Sequence, residues 1–102
     1  MIVTSEYRFN AVVWRWAAQT ATWMFVTVPD DLSDQIDDAH TGMRAGFGSV
    51  KVRVRIGDSD WTTSIFPSRE QGGFILPVKK AVRVAQGLGE GSTAAVVLTT
   101  LV

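Results

Sequence analysis

The sequence predicts a mainly β protein, namely a small, partly open β-barrel of six strands with two short α-helices. Three observations lead to this prediction. The chain has 102 residues, of which 46% are hydrophobic, so it can bury one core and is expected to form one domain over residues 1–102. Residues 50–56 alternate between apolar and basic side chains, as a strand with one buried face does. Six short strands in a flat sheet would also leave exposed edges, which favours a sheet that curls.

Aromatic and β-branched residues predict two strands near the N-terminus. The first covers residues 7–14, and the second covers residues 22–28. Residues 15–21 are then their connection, so we expect these two strands to pair as a hairpin.

A helix is predicted after Pro29, because proline fixes φ and supplies no amide donor for a longer strand. Asp30 or Asp31 is expected to cap this helix, and acidic side chains suit the positive end of its dipole. Its predicted apolar face consists of Leu32, Ile36 and Ala39. Residues 41–49 contain three glycines and predict a loop.

A second hairpin is predicted around the strand of residues 50–56. Residues 57–60 are typical of a turn, and residues 61–66 return as a strand that we expect to end at Pro67.

Residues 72–98 predict a strand, a helix and a final strand. The first strand, residues 74–76, is expected to stop at Pro77, where a helix begins at once. Gly87 stands where the C-terminus of this helix needs positive φ, and residues 93–101 then form the last strand. The predicted apolar face of the helix consists of Val78, Val82 and Ala85.

Composition and charge limit the possible classes of protein. The chain has no Cys, which excludes disulfides, thiolate metal sites and cysteine nucleophiles. It shows no apolar run that could cross a bilayer and no N-terminal signal sequence, so we expect a cytoplasmic protein without a membrane partner. Ten basic and ten acidic residues cancel. Basic residues dominate between residues 51 and 83, however, which makes the molecule dipolar.

Three segments carry a resemblance to a known family. Residues 23–29, 61–67 and 72–83 are similar to the bacterial family called domain of unknown function nineteen-oh-five, and the last segment begins Gly-Gly-Phe-Ile-Leu-Pro-Val-Lys. This resemblance implies a double-split β-barrel and no established activity. Residues 74–91 also resemble the swapped-hairpin unit of AbrB-type regulators and MazE-type antitoxins. In those dimers, a second subunit fills the place that the N-terminal half is expected to occupy here.

The residue types do not assemble into a catalytic set. His40 is the single histidine of the chain, and its place near a helix end has a structural explanation. Ser64 lacks the Gly-x-Ser-x-Gly turn of a nucleophile. Residues 30–34 resemble an Asp-Asp-x-x-Asp magnesium-binding motif. Sites with this motif need two such clusters on long helices that face each other across a large cavity. We therefore predict no catalytic residue, no metal site and no cofactor, and an enzyme is the least favoured class.

One set of basic, aromatic and polar side chains has the best claim to a binding role. Arginine offers a planar fork for carboxylate or phosphate, and an indole can stack on a flat ligand. The alternative is that these residues are ordinary solvated surface on a strand and a helix. The candidate ligand-binding residues are Arg53, Arg55, Trp61, Ser64, Arg69, Lys79 and Arg83.

Two functions remain open. The first is a binding module without enzymatic activity for a small anionic ligand or a protein partner, motivated by the basic residues between 51 and 83. The alternative is a DNA-binding or antitoxin-like regulator of the AbrB/MazE type, motivated by residues 76–91. Zero net charge argues against a dedicated nucleic-acid binder. Four Trp in so short a chain also leave a homodimer open, since apolar area can remain exposed.

Overall fold

The computed structural model of the protein describes residues 5–16, 23–40 and 48–101. Within these ranges the chain forms seven β-strands and two α-helices. The strands are β1 (Glu6–Val12), β2 (Trp14–Trp16), β3 (Trp23–Thr27), β4 (Val50–Ile56), β5 (Ser59–Ser68), β6 (Gly73–Pro77) and β7 (Thr93–Thr100). The helices are α1 (Asp30–Ala39), between β3 and β4, and α2 (Lys80–Gln86), between β6 and β7.

The strands of the described ranges join one antiparallel sheet in the order β1-β7-β4-β5-β6-β3-β2. β1 and β2 lie at opposite ends of this order, yet Val13 alone separates them in the chain. Because consecutive Cα atoms are about 3.8 Å apart, the two ends of the sheet must lie side by side, and the sheet curls. The predicted partly open barrel is therefore confirmed, with seven strands in the described ranges instead of six.

Val13 is fixed where the two ends of the sheet meet. Its amide donates to the Ser92 carbonyl (2.8 Å), and its carbonyl accepts from the Gly91 amide (2.8 Å). Its side chain is 1% exposed and belongs to the core. Gly91 has a φ of 88°, which glycine adopts without a steric penalty. The turn before β7 therefore holds the barrel together at Val13.

The barrel interior is filled by apolar side chains that alternate along the strands. On β4 the residues Val50, Val52, Val54 and Ile56 are buried and the basic residues between them are exposed, as the sequence predicts. The other strands contribute, among others, Val26, Ile65, Leu76, Val96 and Leu98. α1 adds Ile36 to the same core, and α2 adds Val82.

The predicted hairpin of residues 7–14 with residues 22–28 is wrong. β1 pairs along its whole length with β7, and only β2 pairs with β3. The cause is Val13, whose backbone bonds to the turn before β7, so that the chain changes its partner there. Residues 15 and 16, which we expected in the connection, belong to β2. Residues 17–22 lie outside the described residues, as do residues 41–47 of the predicted loop.

Pro67 does not end β5, contrary to the prediction. The strand continues to Ser68, and Pro67 stands opposite Phe74 of β6. The Phe74 amide donates to Ser33 Oγ (3.1 Å), and its carbonyl accepts from the Val28 amide (2.9 Å). Both backbone groups of Phe74 therefore point away from β5, and a residue without an amide donor fits at this position of the ladder.

α2 begins later than predicted. Pro77 is the last residue of β6, and Val78 stands outside the helix, because its amide donates to the Met24 carbonyl (2.9 Å) next to β6. Val78 and Val82 are buried as expected. Ala85 is exposed, so the predicted apolar face is wrong at this residue.

α1 has the predicted position, and Ile36 and Leu32 of its predicted apolar face pack in or against the core, but its cap and Ala39 differ from the prediction. Pro29 is the N-cap and no side chain makes a capping hydrogen bond, so the predicted cap by Asp30 or Asp31 is wrong. Both carboxylates lie in the first turn, where their charge favours the helix dipole as expected. Ala39 is exposed. The buried residues of the helix and its C-cap are Ser33, Ile36 and His40, which recur at the helical spacing of one face.

Gly73 is expected to tolerate no side chain, because Ser33 of α1 packs against it. A Cβ at Gly73 would lie 2.6 Å from Ser33 Oγ. This hydroxyl donates to the Val28 carbonyl (3.1 Å) and accepts from the Phe74 amide (3.1 Å). Gly73→Ala should displace the hydroxyl and lower the free energy of unfolding by about 1–3 kcal/mol. Chemical denaturation followed by circular dichroism measures this change.

Gly89→Ala is the matched control, since a Cβ there meets no atom within 4 Å. It should change the free energy of unfolding by less than about 0.5 kcal/mol. The double variant Gly73→Ala with Ser33→Ala should lower the free energy of unfolding by less than the sum of the two single effects, because the clashing hydroxyl is gone. Equal losses for Gly73→Ala and Gly89→Ala would contradict the tight contact with α1.

Candidate functional site

A groove opens where β5 and β6 part. The two strands pair only over residues 66–68 and 73–75. Towards its N-terminus β5 pairs with β4, while β6 stays paired with β3 as far as Pro77. The gap between β5 and the segment from β6 to α2, which we call the split groove, has a volume of about 410 Å³. Its lining residues are Trp23, Met24, Trp61, Thr62, Thr63, Pro77, Val78, Lys79, Lys80 and Arg83.

Two tryptophans and several apolar residues shape the split groove. Trp61 is half-buried and packs against the core, whereas Trp23 is 54% exposed. The apolar lining also includes Met24, Pro77 and Val78. Concave surfaces with aromatic and apolar walls and a few polar groups are typical of small-molecule sites.

Three basic side chains line the same groove, namely Lys79, Lys80 and Arg83. Residues three or four positions apart lie on one side of a helix, so the lysines at the start of α2 neighbour Arg83. Arg83 Nε donates to the Val78 carbonyl (3.1 Å). This bond fixes the guanidinium and uses one of its five N–H donors. No Asp or Glu is among the described residues of the lining, so the local charge is positive.

The structure brings three of the seven predicted site residues together in this groove, namely Trp61, Lys79 and Arg83. It places three others on the opposite face of the sheet. Trp61 stands opposite Val54 in the register of β4 and β5, and therefore belongs to the inner face. The outer face of β4 and β5 carries the alternate positions, which include Arg53, Arg55 and Ser64.

Arg53 on this outer face is already paired with a carboxylate. Its Nε donates to Asp60 Oδ1 (2.8 Å), and its Nη2 donates to Asp60 Oδ2 (2.7 Å). These hydrogen bonds lower the pKa of Asp60, and desolvation opposes the shift without reversing it. The charges of Arg53 and Arg55 lower the pKa of Asp60 further, and the pair raises the pKa of Arg53. The planar fork of Arg53 thus faces a carboxylate of the protein itself.

Arg69 lies at the other end of β5, in the turn that follows Ser68. A second cavity of about 400 Å³ lies there, between α1 and the connection of β5 with β6. Asp34 and Asp37 line it together with Arg69, so its charge is mixed. Over residues 5–16, 23–40 and 48–101 no three His, Asp or Glu side chains are grouped as metal ligands would be.

Among the tryptophans and cations that line the split groove, two are missing from the sequence-based set, namely Trp23 and Lys80. Lys80 had a signal in the sequence, because it adjoins Lys79 and precedes Arg83 by one helical turn. Trp23 had none. Its place beside α2 depends on the pairing of β3 with β6, which are far apart in the chain.

The fold and the groove define a class of small split β-barrels with a basic and aromatic cleft. A family model described as "Domain of unknown function (DUF1905)" matches residues 9–98, and the chain belongs to this family. The resemblance stated from the sequence is thereby confirmed for this family. A search among curated proteins finds no match. Neither α1 nor α2, the helices of the described ranges, is long and apolar enough to cross a bilayer.

The pKa of Asp60 is expected to depend on Arg53. In the wild type it lies below the ordinary value of 3.8, and in Arg53→Gln it should rise towards that value. NMR titration of the Asp60 carboxyl carbon measures the pKa in the wild type and in the variant. A carboxyl with a depressed folded pKa stabilises the protein above its unfolded pKa, and this contribution is lost as pH falls through the folded pKa. The loss should therefore occur below pH 3.8 and be smaller in Arg53→Gln.

Lys51→Gln is the control for this titration, since Lys51 lies on the same outer face, opposite Ser64. It should leave the pKa of Asp60 close to its wild-type value. If Arg53→Gln leaves the pKa unchanged as well, the ion pair does not form in solution.

Proposed function

We propose that this protein is a binding module whose split groove holds a small anionic ligand. The observation that carries the proposal is the presence of three cations beside two tryptophans, with no carboxylate among the described lining residues. Arginine and lysine bind phosphate and carboxylate groups through charge-assisted hydrogen bonds. Such a role needs recognition alone and requires no catalytic set.

Two features favour the groove over the outer face of β4. Arg83 is half-buried and is held through Nε, so a ligand meets a guanidinium that has already lost part of its conformational freedom. The Arg53 side chain is 62% exposed and bonded to Asp60. A ligand on the outer face would therefore compete with both water and an internal carboxylate.

Removing two positive charges from the groove should weaken anion binding. Calorimetric titrations with inorganic phosphate, pyrophosphate and citrate should show saturable binding that weakens as salt is added. Lys79→Gln combined with Lys80→Gln should lower the affinity about tenfold, or about 1.4 kcal/mol, because the charge-assisted bonds of two exposed side chains are lost.

Arg8→Gln combined with Lys51→Gln is the matched control. It removes the same charge from two exposed residues outside the groove lining and should keep the wild-type affinity. Equal losses in the two double variants would show that net charge attracts the anion. A loss confined to Arg53→Gln combined with Arg55→Gln would place the site on the outer face. Salt-sensitive binding of duplex DNA that requires Lys79 and Lys80 would favour the DNA-binding alternative instead.

A further inference from the structure

We infer that the anion of the split groove carries a planar aromatic ring, as a nucleoside monophosphate does; this inference rests on the proposed function. Cations alone suffice to bind inorganic phosphate or citrate. The split groove, however, combines its three cations with two indoles in one lining. Cations and indoles together fit a ligand in which a flat, apolar part is joined to an anionic group.

Trp61 offers a rigid surface for such a ring. Its indole is half-buried, packs against the core and lines the groove with the part that remains exposed. Aromatic side chains of this kind stack on nucleobases irrespective of base identity, because every base has a π-face. A fixed indole also loses little conformational freedom when a ring stacks on it.

Trp23 differs from the other tryptophans of the N-terminal half. Trp14 and Trp16 have their rings against Phe25, with centroid distances of 5.1 Å and 5.6 Å. Trp23 is the cross-strand partner of Trp16, and it is Trp23 that lines the groove. The lining of the groove therefore includes indoles from two different strands, β3 and β5.

The cations and Thr63 complete the match to a ring with an attached anion. Arg83 is fixed at Nε and keeps further N–H donors for a phosphate oxygen, while Lys79 and Lys80 add mobile charges. Thr63 lies in the same lining and, like Trp61, on the inner face of β5. Its hydroxyl can donate to or accept from the polar edge of a heterocyclic ring.

The test compares three probes by calorimetry, namely adenosine monophosphate, ribose 5-phosphate and adenosine. The first has both ring and phosphate, and each of the others lacks one of them. Adenosine monophosphate should bind at least about tenfold more tightly than either of the other two, because stacking and charge act together. Trp23→Leu and Trp61→Leu should each lower the affinity for adenosine monophosphate about tenfold and leave the affinity for ribose 5-phosphate unchanged.

Trp16→Leu is the matched control, since Trp16 is 51% exposed against 54% for its neighbour Trp23 but lies outside the groove lining. It should leave all three affinities unchanged. Trp61→Phe keeps an aromatic ring and should retain most of the affinity for adenosine monophosphate, which covers the case that Trp61→Leu fails to fold.

Equal affinities for adenosine monophosphate and ribose 5-phosphate would overturn the inference. If both then weaken in Lys79→Gln combined with Lys80→Gln, the proposed function stands. Equal losses in Trp23→Leu and Trp16→Leu would also overturn the inference. Absence of binding by all three probes overturns it too, and the titrations with phosphate, pyrophosphate and citrate then decide the proposed function separately.

Discussion

Val13 connects the two ends of the sheet, and the shape of the barrel follows from this one connection. β1 and β2 are neighbours in the chain but lie furthest apart in the strand order. A single residue can span only about 3.8 Å between successive Cα atoms, so a flat sheet is impossible. The hydrogen bonds of Val13 to Gly91 and Ser92 fix the contact against the turn before β7. The curl of the sheet is thus a consequence of covalent connection and two backbone bonds.

β5 changes its partner along its length where the sheet curls. Its first part pairs with β4, and its last part pairs with β6. Between these parts β5 and β6 diverge, and the split groove lies in the gap. Pro77 contributes by ending β6 there, after which the chain turns into α2 and brings its basic residues to the opening. A hydrogen bond from Gln86 Nε2 to Ser59 Oγ (3.1 Å) ties the far end of α2 to β5.

Local patterns predicted the elements of this fold, but contacts distant in the chain decided their pairing. The alternation of β4 and the left-handed cap at Gly87, with φ of 64°, follow from single residues and their neighbours and were predicted. The break at Val13 depends on Gly91 and Ser92, and nothing in the aromatic run around it marks it. For the groove, Trp61, Lys79 and Arg83 were predicted from residue type. Residue type also groups Arg53 with them, and it is the register Val54↔Trp61 that separates the two faces of the hairpin.

The distribution of charge gives the groove its distinct position on a neutral molecule. Ten basic and ten acidic residues leave no net charge to attract an anion from far away. On the outer face Asp60 neutralises Arg53, and two aspartates line the second cavity together with Arg69. The described lining of the split groove has cations without such carboxylates. Because salt screens charge interactions beyond about 8–10 Å at physiological ionic strength, the cations of the groove act chiefly on an anion that is close to them. For the proposed ligand, selectivity is then expected from the shape of the groove and from its indoles, which act at short range.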